Sequence, residues 1–250
     1  MMTVSAAALR QCVPSQVVEA ILRRYRVHGA TRRSDRMPVT EAEHAAQCGT
    51  VARRSGLAPP LVAACLLHDF GRLLAEPMPD HAVAGADTLA AVLGPEVTEP
   101  IRLHTRAWRY LAAVEPDYVL AHPQGAESLP PEDREPMSGA EVSAFLEEPW
   151  AAEAATVQRI NAAGRLPGLD TPPLQSFAPL LESLVAHLQR RRGEASRISG
   201  RPALPCDDAG PVGPAGSRSS RCRTPTPTDG PTSGSTDSGT TRRRITPTRS

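Results

Sequence analysis

The chain has 250 residues and a formal net charge of +1, long enough for one sizeable domain and without the charge excess that directs a protein to nucleic acid or an anionic membrane. No apolar run reaches the roughly 18 residues of a membrane span. All 28 basic residues are arginine, which excludes lysine Schiff-base chemistry and a P-loop.

The opening stretch, MMTVSAAALRQCVPSQ, has neither a basic start nor a sustained apolar core, so it does not read as a signal peptide and the chain is expected in the cytoplasm. Residues 14–27 set Val17, Val18, Ile21, Leu22 and Tyr25 at helical spacing, with Pro14 and Ser15 suited to a helix start. HGATRRSDRMP then reads as a loop. Thr40 with Glu43 three residues on predicts a capping box and a helix to about Arg54, stopping near Gly56. APPLVAACLLHDFGRLL starts at its prolines and is apolar nearly all round through Leu67, as a central buried helix would be. DHAVAGADTLAAVLG predicts an amphipathic helix ending near Gly94. EVTEPIRLHTRAWRYLAAV follows, with Ile101, Leu103, His104, Ala107, Trp108 and Leu111 turned inward. SGAEVSAFLEE, PWAAEAATVQRINAAGRL and PLQSFAPLLESLVAHLQRRR complete the set. Alternating strand patterns and hairpin turns are missing, and no unit repeats.

These elements predict one all-α domain over residues 10–192. From 193 to 250 the chain turns to Pro, Gly, Ser, Thr and Arg, which cannot bury enough apolar surface to offset the entropy of ordering, so this tail is expected to be disordered. Its nine arginines against five acids read as a solvated, basic tail. The five cysteines (Cys12, Cys48, Cys65, Cys206 and Cys222) form no CxxC pair, so zinc-ribbon and thioredoxin patterns fail and reduced thiols are expected.

Of the seven histidines, His44, His68, His81 and His104 each fall on a different predicted helix, and Asp69 adjoins His68. A helix bundle can converge such side chains on one point. Imidazole with carboxylate suits iron, manganese or zinc better than calcium or magnesium. Adjacent residues on a straight helix point about 100° apart, so His68 and Asp69 share a cation only where the helix end presents both. Asp69 can then bridge two cations through its two oxygens. Against this stands the ordinary role of a core histidine as a hydrogen-bonded packing residue. His28 and His122 lie in loops, and His187 sits before the basic end of the last helix.

VTEAEHAAQ, LLHDFG, DHAVAGA, GPEVTEPIRLHTRAWRYLAAVEPDY, PMSGAEVSAFLEEPW and RLPGLDTPP, spread over about residues 39–175, resemble the HD-domain superfamily and within it the phosphonate-cleaving mixed-valence di-iron oxygenases. The resemblance implies an HD-domain helical bundle holding two iron ions. With dioxygen as co-substrate, such a centre cleaves the carbon–phosphorus bond of a 1-hydroxyphosphonate, giving phosphate and a carboxylic acid. Carried over by position, Asp69 bridges the irons, His81 and His104 complete one, and His44, His68 and a final carboxylate complete the other. That carboxylate is here Asn161, the single asparagine of the chain, whose neutral carbonyl is expected to weaken the His44/His68 side.

Other departures concern substrate. Arg72 stands for a family histidine, Trp108 for a lysine, Ser34 and Met37 near a gating tyrosine and glutamate, and Asp133-Arg134-Glu135 for Gln-Gly-Gly. Arg72, Arg106, Arg109 and Arg159 are candidate anion contacts, since guanidinium holds phosphate or carboxylate bidentately. Asp69 and Arg72 are the candidate catalytic pair, and a small anionic molecule is the expected substrate, with neither membrane nor nucleic acid as partner. Three functions fit the residues: a divergent di-iron oxygenase, an HD-type phosphohydrolase using metal-bound water, and a non-catalytic HD scaffold.

Overall fold

A computed structural model describes residues 12–33, 39–74, 80–115, 117–122 and 134–198. Among these residues there is no strand, only an isolated bridge between Arg33 and Thr40, so the all-α fold expected from the sequence is borne out. The helices are α1 (Pro14–Arg24), α2 (Glu41–Arg54), α3 (Pro59–Leu67), α4 (His81–Leu89), α5 (Pro95–Val114), α6 (Tyr118–Ala121), α7 (Gly139–Glu147), α8 (Ala151–Ala163) and α9 (Ala178–Ile198).

Local chemistry sets most helix starts. The Thr40 hydroxyl accepts from Glu43 N while the Glu43 carboxylate accepts from Thr40 N at 2.7 Å, closing the capping box predicted for α2. Ser138 and Glu141 do the same for α7. Prolines open α1, α3 and α5, where a missing N–H costs no helical bond. Asp80 caps α4 by accepting from Ala82 N and Val83 N.

α3 is buried from Val62 through Leu67 and forms the central rod, with α2 and α5 packed along it and α8 along α5. Tyr25, in a π-helical turn after α1, donates from its hydroxyl to Leu66 O at 3.2 Å and ties that turn to the end of the rod. Phe177 and Leu181 close the main core from the side of α9.

Several boundaries differ from expectation. α3 stops at Leu67, where its apolar run ends; His68 and Asp69 form a turn, and Phe70–Leu73 is a short 3-10 helix. That turn abuts α4: a Cβ on Gly71 would lie 1.9 Å from His81 O, and one on Gly85 would lie 2.9 Å from Gly71 N. Two residues without side chains therefore let the turn press against the helix that carries His81. α4 ends at Leu89, short of Gly94, and α6 is an added single turn. α9 continues past Arg192 to Ile198, so the first residues of the stretch read as a disordered tail are helical; residues 199–250 lie outside the described set, as do Ser34 and Met37.

Candidate metal centre

Four elements deliver one histidine each to a common point beside Asp69. α2 carries His44, the turn after α3 carries His68 and Asp69, the first turn of α4 carries His81, and α5 carries His104. The break at the end of α3 resolves the angular problem posed by adjacent ligands. Once the helix stops, His68 Nε2 comes within 3.2 Å of Asp69 Oδ2. The imidazoles form a chain of edge-on rings, with His44 to His68, His68 to His104 and His81 to His104 centroids 5.1, 5.1 and 5.3 Å apart.

Backbone carbonyls orient three of the rings. His44 Nδ1 donates to Gly164 O at 2.7 Å, His68 Nδ1 to Cys65 O at 2.9 Å, and His104 Nδ1 to Ile101 O at 2.7 Å. A carbonyl only accepts, so Nδ1 carries the hydrogen and a neutral ring presents its lone pair at Nε2. Such outer partners normally aim imidazoles at a metal.

Asp69 is two-sided. Its Oδ2 faces His44 Nε2 at 3.5 Å and His68 Nε2 at 3.2 Å. Its Oδ1 faces His81 Nε2 at 3.0 Å and His104 Nε2 at 3.9 Å, and accepts from Arg72 Nε at 3.0 Å. His44 Nε2 and His68 Nε2 are 3.2 Å apart. With both rings neutral, two lone pairs and a carboxylate oxygen converge there, and no hydrogen-bond donor satisfies the buried Oδ2. A cation or a shared proton must sit among them, because an uncompensated buried carboxylate oxygen is costly. His81 Nε2 is likewise buried without a hydrogen-bond partner. The donor set fits a transition metal held by imidazole and carboxylate.

The electrostatics agree with that fit. Burial, then the neighbouring His68, lowers His44 from 6.5 to about 3. Burial also takes His104 well below its ordinary value, with His68 and His81 adding to the effect. Both are thus neutral, lone-pair-bearing rings at neutral pH. For Asp69, burial opposes ionisation, but His68 when it carries the shared proton, together with Arg72, outweighs it and holds the carboxyl well below its usual range.

Asn161 lies on α8, buried, but its polar atoms are engaged. Arg165 Nε and Nη2 donate to Asn161 Oδ1 at 3.2 and 2.8 Å, and Asn161 Nδ2 donates to Gln158 Oε1 at 3.1 Å. Arg106 pairs with Glu148, Arg109 with Glu141 and Arg159 with Glu115, so these three candidate anion contacts are spent on glutamates. Arg72 alone of the four reaches the centre.

Two side chains beside the centre carry no role in the sequence reading. Arg165 reaches Asn161 from just past the end of α8, and its charge contributes to lowering His44. Cys48, one turn after His44, puts Sγ 3.7 Å from both ring nitrogens of His44 and donates toward Ile160 O. In both cases the signal was a spacing of four residues from a candidate ligand.

A family model for the HD domain matches residues 42–138, the stretch that carries His44, His68, Asp69, His81 and His104. The chain is 31% identical over 157 residues to the [1-hydroxy-2-(trimethylamino)ethyl]phosphonate dioxygenase (glycine-betaine-forming) of Leisingera caerulea, covering 59% of this chain and 80% of that protein. It is also 31% identical over 159 residues to the hydroxymethylphosphonate dioxygenase of Gimesia maris, covering 60% and 79%. The chain belongs to the HD-domain superfamily, close to the phosphonate dioxygenases. This HD-domain protein therefore shares its scaffold with oxygenases, and its His/Asp cluster sits where the family model matches. No helix among the described residues is long and apolar enough to cross a membrane.

Proposed function

We propose that this HD-domain protein is an iron-dependent oxygenase that uses dioxygen to cleave the carbon–phosphorus bond of a small anionic phosphonate or a related polar molecule in the cytoplasm. The observation that carries the reading is the two-sided Asp69, each of whose oxygens faces a pair of imidazole Nε2 atoms. His44, His68, His81, His104 and Asp69 would hold the metal. Iron held there would supply the redox chemistry.

The chain's own residues supply the rest. Carbonyls at Gly164, Cys65 and Ile101 fix the imidazoles, so no reorganisation is needed when ligands bind. The centre itself is dry: His44, His68, Asp69 and His104 are all buried, so charge that develops there is poorly screened by water. Arg72 holds Asp69 through Nε and brings a fixed positive charge to the centre, which favours an anionic substrate. Asn161 and the neutral Trp108 in the expected lysine position support a substrate different from those of the relatives.

Metal analysis and oxygen uptake on the full-length protein, with 1-hydroxyphosphonates as substrates, test this. Oxygen consumption matched by phosphate release is expected. Iron-loaded protein that consumes no oxygen with any phosphonate sinks the oxygenase reading. Arg72 and Asn161 depart from the oxygenase pattern more than from a hydrolytic one, so phosphate release from phosphomonoesters without oxygen supports a metal-dependent phosphohydrolase instead.

A further inference from the structure

We infer, resting on the metal-centre reading above, that the two sides of Asp69 load unequally: one ion binds tightly among Oδ2, His44 and His68, while Arg72 stands as a resident cation on Oδ1 and holds off the second. This reverses the order expected from Asn161 alone.

The Oδ2 side is prepared for an ion. Its three acceptor atoms lie within 3.5 Å of one another, and no donor satisfies Oδ2. The His44–His68 nitrogen separation is close to that of two ligands about 2.0–2.1 Å from a single tetrahedral ion.

The Oδ1 side already has its cation. Arg72 Nε lies 3.0 Å from Oδ1, and its side chain is only 15% exposed. Its carbonyl accepts from Arg32, which anchors the segment. A guanidinium never gives up its proton at ordinary pH, so a second ion must approach Oδ1 against a fixed positive charge. His104 Nε2, at 3.9 Å, is also further from Oδ1 than either Oδ2 imidazole is from its oxygen.

The missing acid bears on the total charge the centre can hold rather than on the Oδ1 side itself. Asn161 is neutral, and its carbonyl oxygen takes two N–H groups of Arg165. A second divalent ion would add two positive charges to a buried centre whose final position carries a neutral amide, and uncompensated buried charge is strongly unfavourable. Cys48 does not supply the lost charge. It lies where it could share an ion with His44 and His68, but its Sγ donates toward Ile160 O and so stands as a neutral thiol.

Anaerobic titration of the metal-free, full-length chain with Mn(II), read by electron paramagnetic resonance and equilibrium dialysis, tests the inference without any activity assay. One tight equivalent is expected, with the second about 10- to 100-fold weaker. R72Q should strengthen the second by about tenfold, leave the first unchanged, and produce the signal of a coupled pair. H81A should keep the tight equivalent and H44A should lose it, with circular dichroism checking the fold of each. Two equally tight ions in the unmodified protein overturn the inference. So does an R72Q variant with an unchanged second affinity, or loss of the tight ion in H81A rather than H44A. No binding at all overturns the metal-centre reading and this inference with it.

Discussion

One carboxylate, Asp69, faces four imidazoles, and each of its oxygens serves a different pair. Replacing it with asparagine removes the charge while keeping the shape. D69N is expected to lower metal affinity by more than the roughly 10–100-fold typical of outer-shell partners, and to abolish turnover. Metal content after dialysis checks this; a variant that keeps its metal removes Asp69 from the centre. N161D is a gain-of-charge counterpart. A carboxylate there keeps the Arg165 contacts and adds a negative charge on the His44 side. Arg165 offsets part of that charge, so the expected gain in affinity is about tenfold, not the full effect of a new ligand. Competition with a chromogenic chelator measures it, and an unchanged affinity means that position 161 does not reach the metal.

At the scale of the helices, the centre depends on two close fits. Gly71 presses the turn after α3 onto α4, and a methyl group there would meet the His81 carbonyl. G71A is therefore expected to cost about 3 kcal/mol or more, at the upper end for overpacking, and to loosen metal binding by displacing His81. A urea midpoint within error of the unmodified protein contradicts that packing. T40A removes only the capping box of α2 and should cost about 1 kcal/mol with metal affinity unchanged. The contrast explains what the sequence made legible. Thr40 and Glu43, the proline starts, and four polar residues on apolar faces are local patterns, and they located the helices and the imidazoles. The close fit of Gly71 against His81 and Gly85 is a tertiary contact that no local pattern reveals. The engagement of Asn161 by Arg165, and of Arg106, Arg109 and Arg159 by glutamates, depends on tertiary pairing that no periodicity encodes.

For the whole molecule, a buried cluster of neutral imidazoles has a cost that appears as pH falls. His44 titrates at about 3 in the folded chain against an ordinary 6.5, and His104 is shifted in the same direction, in each case chiefly by burial. Below 6.5 the unfolded chain therefore binds protons that the folded chain refuses, and stability drops by about 1.4 kcal/mol per pH unit for each such ring. Asp69 acts in a different window. Its folded value lies well below 3.8, because His68 when it carries the shared proton, together with Arg72, outweighs burial, so its contribution is intact above that pH and is lost only further down. Between pH 7.5 and 5.5 the imidazoles thus dominate, and the metal-free protein should lose about 2–3 kcal/mol of unfolding free energy. Urea unfolding in the presence of a chelator measures it. Loaded protein should stay level to a lower pH and then fall more steeply, because each proton must also displace a metal ligand. A metal-free midpoint that stays flat over that range would show that these rings are not held neutral, and that the cluster binds protons where it is read as binding metal.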